Sequence, residues 1–213
     1  MKRHNITFIS TTHKNNGKCN ADELHKILEK KCPDVIFLEA LNNTYSNYQK
    51  INYENFGVYH QKLELESIQK YSINHLFEYV PVLKCDMLDV FDHKYQYIYT
   101  NHQFQKMLDE FNSLVKTKGF KFLNGQICME WHKKMRIFEN HILNNNELIK
   151  AVDAAIDNYE NSMMQSIYSY CENNQFNKAV FLCGSAHKYS IIEKIQSLYS
   201  KEKVSINWTF YGE

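Results

Sequence analysis

Three side chains able to hold a metal ion or move a proton follow strand-like runs in this sequence of 213 residues. His13 follows the run Asn5–Ser10, Glu39 directly follows Val35-Ile36-Phe37-Leu38, and His187 follows Ala179–Cys183 after a short turn. In an open parallel sheet, ligands bind beyond the carboxyl ends of the strands, so residues placed there can meet. Neutral imidazoles and a carboxylate form a ligand set for a divalent metal such as Mn, Zn or Co, with positions left open for water. An ion held by His13, Glu39 and His187 would lower the pKa of that water and make hydroxide near neutral pH. Without an ion, the same groups offer a general base and a carboxylate that orients it.

Each residue also has a plainer reading. A histidine after a strand is ordinarily a solvated loop residue, and the chain has ten of them. Glu39 carries more information, because a carboxylate at the end of a buried apolar strand is costly unless it is paired or reaches solvent. Gly184-Ser185-Ala186-His187 places small residues between strand and helix. Gly184 and Ser185 could bind substrate there, since a helix N-terminus has N–H groups free for an anion. Ser185 as an ordinary N-cap is the plainer account. Ser185 lacks the second glycine of a G-x-S-x-G elbow, and Cys183 is expected to point into the sheet, away from His187. The chain contains no G-x-x-x-x-G-K-[ST] and no G-x-G-x-x-G.

The elements that must position these residues follow from hydrophobic patterning. A strand over Asn5–Ser10, a helix opened by Asn20 as N-cap with Glu23 three residues on, and a strand over Val35–Leu38 together have the size of a βαβ crossover. That predicts adjacent first and second strands. Residues 60–76 read as helix and Tyr79–Leu83 as a third strand. From about 87 to 175 the pattern is helical, over Phe104–Lys116, Ile127–Leu143 and Glu147–Cys171. Ala179–Cys183 is continuously apolar, as in a strand covered on both faces. A helix over His187–Tyr199 and a strand over Val204–Phe210 complete the outline. The expected fold is α/β: one domain over 1–213, with a mostly parallel central sheet flanked by helices and a helical insertion at about 87–175.

Composition narrows the class. Twenty-five Lys and Arg against 24 Asp and Glu leave a net charge of +1, which argues against a basic nucleic-acid footprint spread over the whole molecule. No apolar run approaches the ~18 residues of a membrane span, and the N-terminal apolar run is too short for a signal peptide. A cytoplasmic protein is expected, with no membrane or nucleic-acid partner. Its six cysteines, with no C-x-x-C pair, should be reduced thiols.

The runs I-T-F-I-S-T-T-H, P-D-V-I-F-L-E-A and A-V-F-L-C-G-S-A-H, in that order, resemble the TraB/Tiki-like superfamily. That group takes in erythromycin-esterase-like proteins and ChaN-like haem-binding lipoproteins. Its pattern is two G-x-x-H motifs at strand ends with a Glu ending the second strand. Gly184-Ser185-Ala186-His187 keeps the second motif, Ser10-Thr11-Thr12-His13 has Ser in the Gly place, and Glu39 matches the Glu. Glu64, opening the next helix, matches a further acidic position. Many relatives carry Arg-Glu-x-x-Met on the long helix before the last motif; here it reads Tyr159-Glu160-Asn161-Ser162-Met163, without the Arg. Arg136, or Lys133 and Lys134 beside it, could supply the missing charge toward a substrate, although a solvated helix face is the plainer reading of all three.

The resemblance implies an α/β fold with a His/Glu-centred pocket; the leading reading of that pocket is a metal-assisted hydrolase, peptidase-like or esterase-like, acting on a small molecule or a peptide. His13, Glu39, Glu64 and His187 would surround the reactive water. The alternative is a non-catalytic ligand-binding or signalling protein that keeps the pocket, which Ser10 and the missing Arg favour. A haem carrier fits less well, because the matching haem proteins are exported lipoproteins and no lipobox is present. The sequence sets neither the substrate nor the oligomeric state.

Overall fold

The structure is a computed structural model that describes residues 3–41, 62–84, 94–96, 98–197 and 205–212. Strand β1 (Arg3–Thr11) leads to helix α1 (Ala21–Lys31), β2 (Val35–Leu41), α2 (Leu63–Ser72) and β3 (Glu78–Leu83). Helices α3 (His102–Lys118), α4 (Phe120–Leu123), α5 (Gln126–Leu143) and α6 (Asn146–Asn173) follow. Then come β4 (Lys178–Gly184), a 3₁₀ turn over Ser185–His187, α7 (Lys188–Ser197) and β5 (Ser205–Phe210). Local chemistry sets the boundaries. Asn20 caps α1 by accepting the Glu23 N–H at 2.9 Å, and Cys32 ends it in the left-handed region at φ 45°. Asp22 and Glu23 in the first turn and Lys30 and Lys31 in the last match the helix dipole.

The five strands form one sheet in the order β3-β2-β4-β1-β5, and every pair is parallel. Alternating residues separate onto the two faces, as the pleat requires. Ile9, Ile36, Leu38, Val180 and Leu182 pack with α1, α2, α3 and the α4–α5 segment. Ile6, Phe8, Val35, Phe37, Ala179, Phe181 and Cys183 pack against Met163, Met164 and Ile167 of α6 and Ile191 of α7. Phe8, Phe37 and Phe181 are 0% exposed, each worth about 1.5–3 kcal/mol relative to exposure. This is the expected α/β architecture. Within the described part of 98–175 the secondary structure is helical, and α4 is a short element the pattern did not announce.

The expected neighbourhood of β1 and β2 is wrong: β4 lies between them. A strand apolar on both faces belongs in the middle of a sheet, and Val180, Phe181 and Leu182 are each at most 1% exposed. Asp34, just before β2, fixes the arrangement by accepting the N–H groups of Asn177 and Lys178, both at 2.9 Å. The α1 crossover therefore spans two strand spacings, about 10 Å. The turn carrying His187 thereby comes to lie between the ends of the strands that lead to His13 and Glu39. β2 also runs past Glu39, with a register shift against β3 between Leu38 and Leu41. An irregularity of this kind re-aims a side chain at a sheet edge.

Among the described residues no helix is long and apolar enough to cross a membrane. Cys19, Cys32, Cys128, Cys171 and Cys183 are all free, as expected. Cys85 and the expected element edges at 60–61 and 198–204 lie outside the described residues.

Candidate functional site

A cleft of about 870 Å³ opens at the carboxyl edge of the sheet, and His13, Glu39 and His187 all line it. Its other wall comes from α3, α5 and α6, including Phe104, Phe111, His132 and Arg136, with Tyr159 and Glu160 toward its base. Glu64, Gly184 and Ser185 are not on the wall; they stand behind residues that are.

His187 sits between two carboxylates. Its Nδ1 is 2.9 Å from Glu160 Oε1, and its Nε2 is 3.6 Å from Glu39 Oε1. Tyr159 stacks on the ring, with centroids 5.4 Å apart. Burial pushes the imidazole toward neutrality, but the Glu160 bond and the charges of Glu39 and Glu160 outweigh it, so its pKa is raised. Glu39 is anchored through both oxygens: the Gly184 N–H donates to Oε2 at 2.5 Å and the Tyr159 hydroxyl to Oε1 at 2.8 Å. Burial pushes Glu39 up, yet His187, the Gly184 amide, His13 and the Tyr159 hydroxyl together bring its pKa below the usual value. Its side chain is only 7% exposed, so this is a paired, buried carboxylate and not one that reaches solvent.

His13 repeats the arrangement at the mouth of the cleft. Its Nδ1 lies 3.2 Å from Glu64 Oε1, which also accepts the Thr11 hydroxyl at 2.7 Å. The Glu64 side chain is 4% exposed and that of His13 is 54% exposed. The hydrogen bond to Glu64 raises the His13 pKa against partial burial, and the charges of Glu64 and Glu39 add to it. Among the described residues the Nε2 atom of His13 makes no hydrogen bond.

The remaining expected residues have internal partners. Gly184 spends its N–H on Glu39, so that amide cannot hold a substrate anion. The Ser185 hydroxyl is buried and bonds His132 Nε2 at 2.9 Å, so it does not cap α7. Arg136 lines the cleft, but its guanidinium is paired with Asp153. That half-exposed ion pair is neither a free anion receptor nor a simple solvated face. Cys183 is 1% exposed and points into the core, where burial holds its thiol far above the usual range.

Glu160, Tyr159 and His132 complete the site and were not among the expected site residues. Glu160 had a visible signal: it shares the helical stripe of Met163, Met164, Ile167 and Cys171, all buried, where a carboxylate requires a partner. His132 likewise falls in phase with buried Cys128 and Met135 on α5.

Among the described residues, no three His, Cys, Asp or Glu side chains are grouped to hold a metal ion. Both Glu39 oxygens and the Nδ1 atoms of both imidazoles are taken by protein partners. A carboxylate on Nδ1 leaves the Nε2 atom for a metal ion, a substrate or water. No protein-family model, curated protein or solved structure matches the chain.

Proposed function

We propose that the cleft is the active site of a cytoplasmic hydrolase, of the TraB/Tiki-like kind its motifs suggest. It would cleave an ester or amide of a small molecule or peptide by paired histidine acid–base catalysis. The observation that carries this reading is the pair of dyads, Glu64–His13 and Glu160–His187, whose imidazoles line one cleft. A carboxylate on Nδ1 sets the tautomer and leaves Nε2 to exchange a proton with substrate or water.

The roles follow from surroundings. His187 faces two carboxylates and starts as the imidazolium. His13, which is half exposed, takes a proton from water when neutral. The water oxygen attacks the carbonyl carbon as its proton passes to His13 Nε2. The bond to the leaving group then breaks as His187 Nε2 donates its proton to the leaving oxygen or nitrogen. His13 ends protonated and His187 neutral, and exchange with solvent restores both. Glu39 stays ionised and stabilises the His187 cation.

Turnover of chromogenic esters and fluorogenic peptides, with and without EDTA, tests this. Activity that survives chelation and is lost in His13→Ala and in His187→Ala is the expected result. Activity that needs added Mn²⁺, Zn²⁺ or Co²⁺, or a melting temperature raised by one of them at neutral pH, would replace it with a metal-assisted route. Binding without turnover would favour the ligand-binding reading, which gains from Tyr159 standing in the place of the relatives' Arg.

A further inference from the structure

A second cavity, about 610 Å³ and away from the cleft, is lined by Lys18, Lys26, Lys30, Lys118 and Lys121, with Glu23 as its carboxylate. Glu23 is taken by Lys26 at 2.7 Å. Lys18, Lys30, Lys118 and Lys121 have no ion-pair partner among the described residues. In the first cleft Lys94 is paired with Glu139 and Arg136 with Asp153, which leaves one lysine, Lys133, without an ion-pair partner among the described residues. In a chain of net charge +1, four unpaired lysines around one hollow make a local excess of positive charge that is unfavourable until an anion occupies it.

The lysines belong to three segments whose backbones are locked together. Lys18 follows Gly17, Lys26 and Lys30 lie one turn apart on α1, and Lys118 and Lys121 flank Gly119. The Lys18 N–H donates to the Lys116 carbonyl at 2.9 Å. Gly17 at φ 59° and Gly119 at φ 58° make this approach possible. A Cβ on Gly17 would lie 2.5 Å from the Lys116 oxygen, and one on Gly119 would lie 2.5 Å from the Lys18 oxygen. The ammonium groups thus hang from a fixed rim, with Ile27 and Tyr211 supplying an apolar and aromatic part of the wall.

We propose that this groove is a binding site for a small ligand bearing a chain of two or three phosphates. Charges carried by three separate segments suit an extended polyanion better than one phosphate. The volume is that of a small-molecule site. A nucleoside triphosphate and bare polyphosphate share this chemistry; a base stacked on Tyr211 would distinguish them.

The test is calorimetric titration of the full chain with tripolyphosphate, ATP, AMP, orthophosphate and a single-stranded oligonucleotide, at about 0.05 M salt and again at high salt. Tripolyphosphate should bind below about 1 mM, at least tenfold tighter than orthophosphate, and weaken about tenfold at high salt. The exposed double variant Lys18→Gln/Lys121→Gln, checked for native circular dichroism, should lose about tenfold. ATP binding tighter than tripolyphosphate, with the gain lost in Tyr211→Ala, identifies a nucleotide; equal binding identifies bare polyphosphate. No tripolyphosphate binding, affinity unchanged in the double variant, or an oligonucleotide preferred over both would overturn the proposal.

Discussion

His187 Nδ1 and Glu160 Oε1 are 2.9 Å apart, and the Glu160 side chain is 1% exposed. A carboxylate so placed can only accept, so the ring carries its Nδ1 proton toward α6 and turns Nε2 toward Glu39. Burial alone would keep this imidazole neutral; the two carboxylates make its charged form the favoured one.

Glu160→Gln keeps the shape and removes the charge. The His187 pKa, followed by NMR of the ring protons, should fall by about one unit or more, since burial is then opposed by Glu39 alone. Hydrolytic turnover should fall by about 10²–10⁴-fold, as expected when an orienting carboxylate is neutralised. An unchanged titration would mean that Glu160 does not govern the ring.

Tyr159 tests the missing arginine. Its hydroxyl donates to Glu39 at 2.8 Å, so Tyr159→Phe removes one of the groups that keep Glu39 ionised. The loss should cost about 1–2 kcal/mol of stability above the Glu39 pKa. A depressed carboxylate stabilises the fold above its unfolded-state pKa and ceases to do so as pH falls through its folded value. Urea melts should therefore show the Phe variant approaching the parent as pH drops below the ordinary carboxylate range and through the lowered folded value of Glu39. A gap that stays constant down to acid pH would show that Glu39 does not depend on this bond. Tyr159→Arg creates an Arg-Glu-x-x-Met sequence at this place; turnover that rises in this variant would show that the site gains from an anion-stabilising charge there.

What was readable in advance follows from which forces are local. Strand ends and helix caps depend on neighbours in sequence, so His13, Glu39 and His187 could be placed at a sheet edge from β-branched runs and from Asn20. Strand order depends on pairing between distant segments. The βαβ length alone put β1 beside β2, whereas the Asp34 carboxylate and the burial of β4 on both faces, Val180 and Leu182 on one and Phe181 on the other, put β4 there. The same limit hid the dyads: Glu64 is 51 residues from His13 and Glu160 is 27 from His187, and no spacing rule joins them. A Glu in the apolar stripe of α6 was the available clue.

Ser10 stands where a G-x-x-H motif would have Gly. Its N–H and carbonyl are held by Asn124, at 2.7 and 3.1 Å, while its buried hydroxyl has no partner among the described residues. Ser10→Ala should therefore be neutral or stabilising by up to about 1 kcal/mol, because an unsatisfied hydroxyl is removed and little volume changes. Ser10→Gly should cost about 0.5–1 kcal/mol through strand entropy. Chemical denaturation of the three proteins decides it; an alanine variant destabilised by more than about 1 kcal/mol would point to a hydrogen bond made by the hydroxyl.

His132 gives the sharpest pH signature. Burial, with repulsion from His187, lowers its pKa from 6.5 to about 4. Between those values the unfolded chain binds a proton that the folded chain refuses, so stability falls as pH falls through that window. Above 6.5 both states are neutral and nothing is lost. The full effect is of order 3 kcal/mol, and about 2 of that should have been lost by pH ~5. His187 works in the opposite direction. Its raised pKa contributes stability that is present below 6.5 and lost as pH rises through the folded value, so the wild-type profile mixes the two. His132→Gln keeps an amide near the Ser185 hydroxyl and removes the titration. The variant should gain about 2 kcal/mol relative to wild type between pH ~7.5 and pH ~5 in urea melts. A difference that does not change with pH would show that His132 accepts its proton in the folded state, and the neutral Ser185–His132 pair would have to be abandoned.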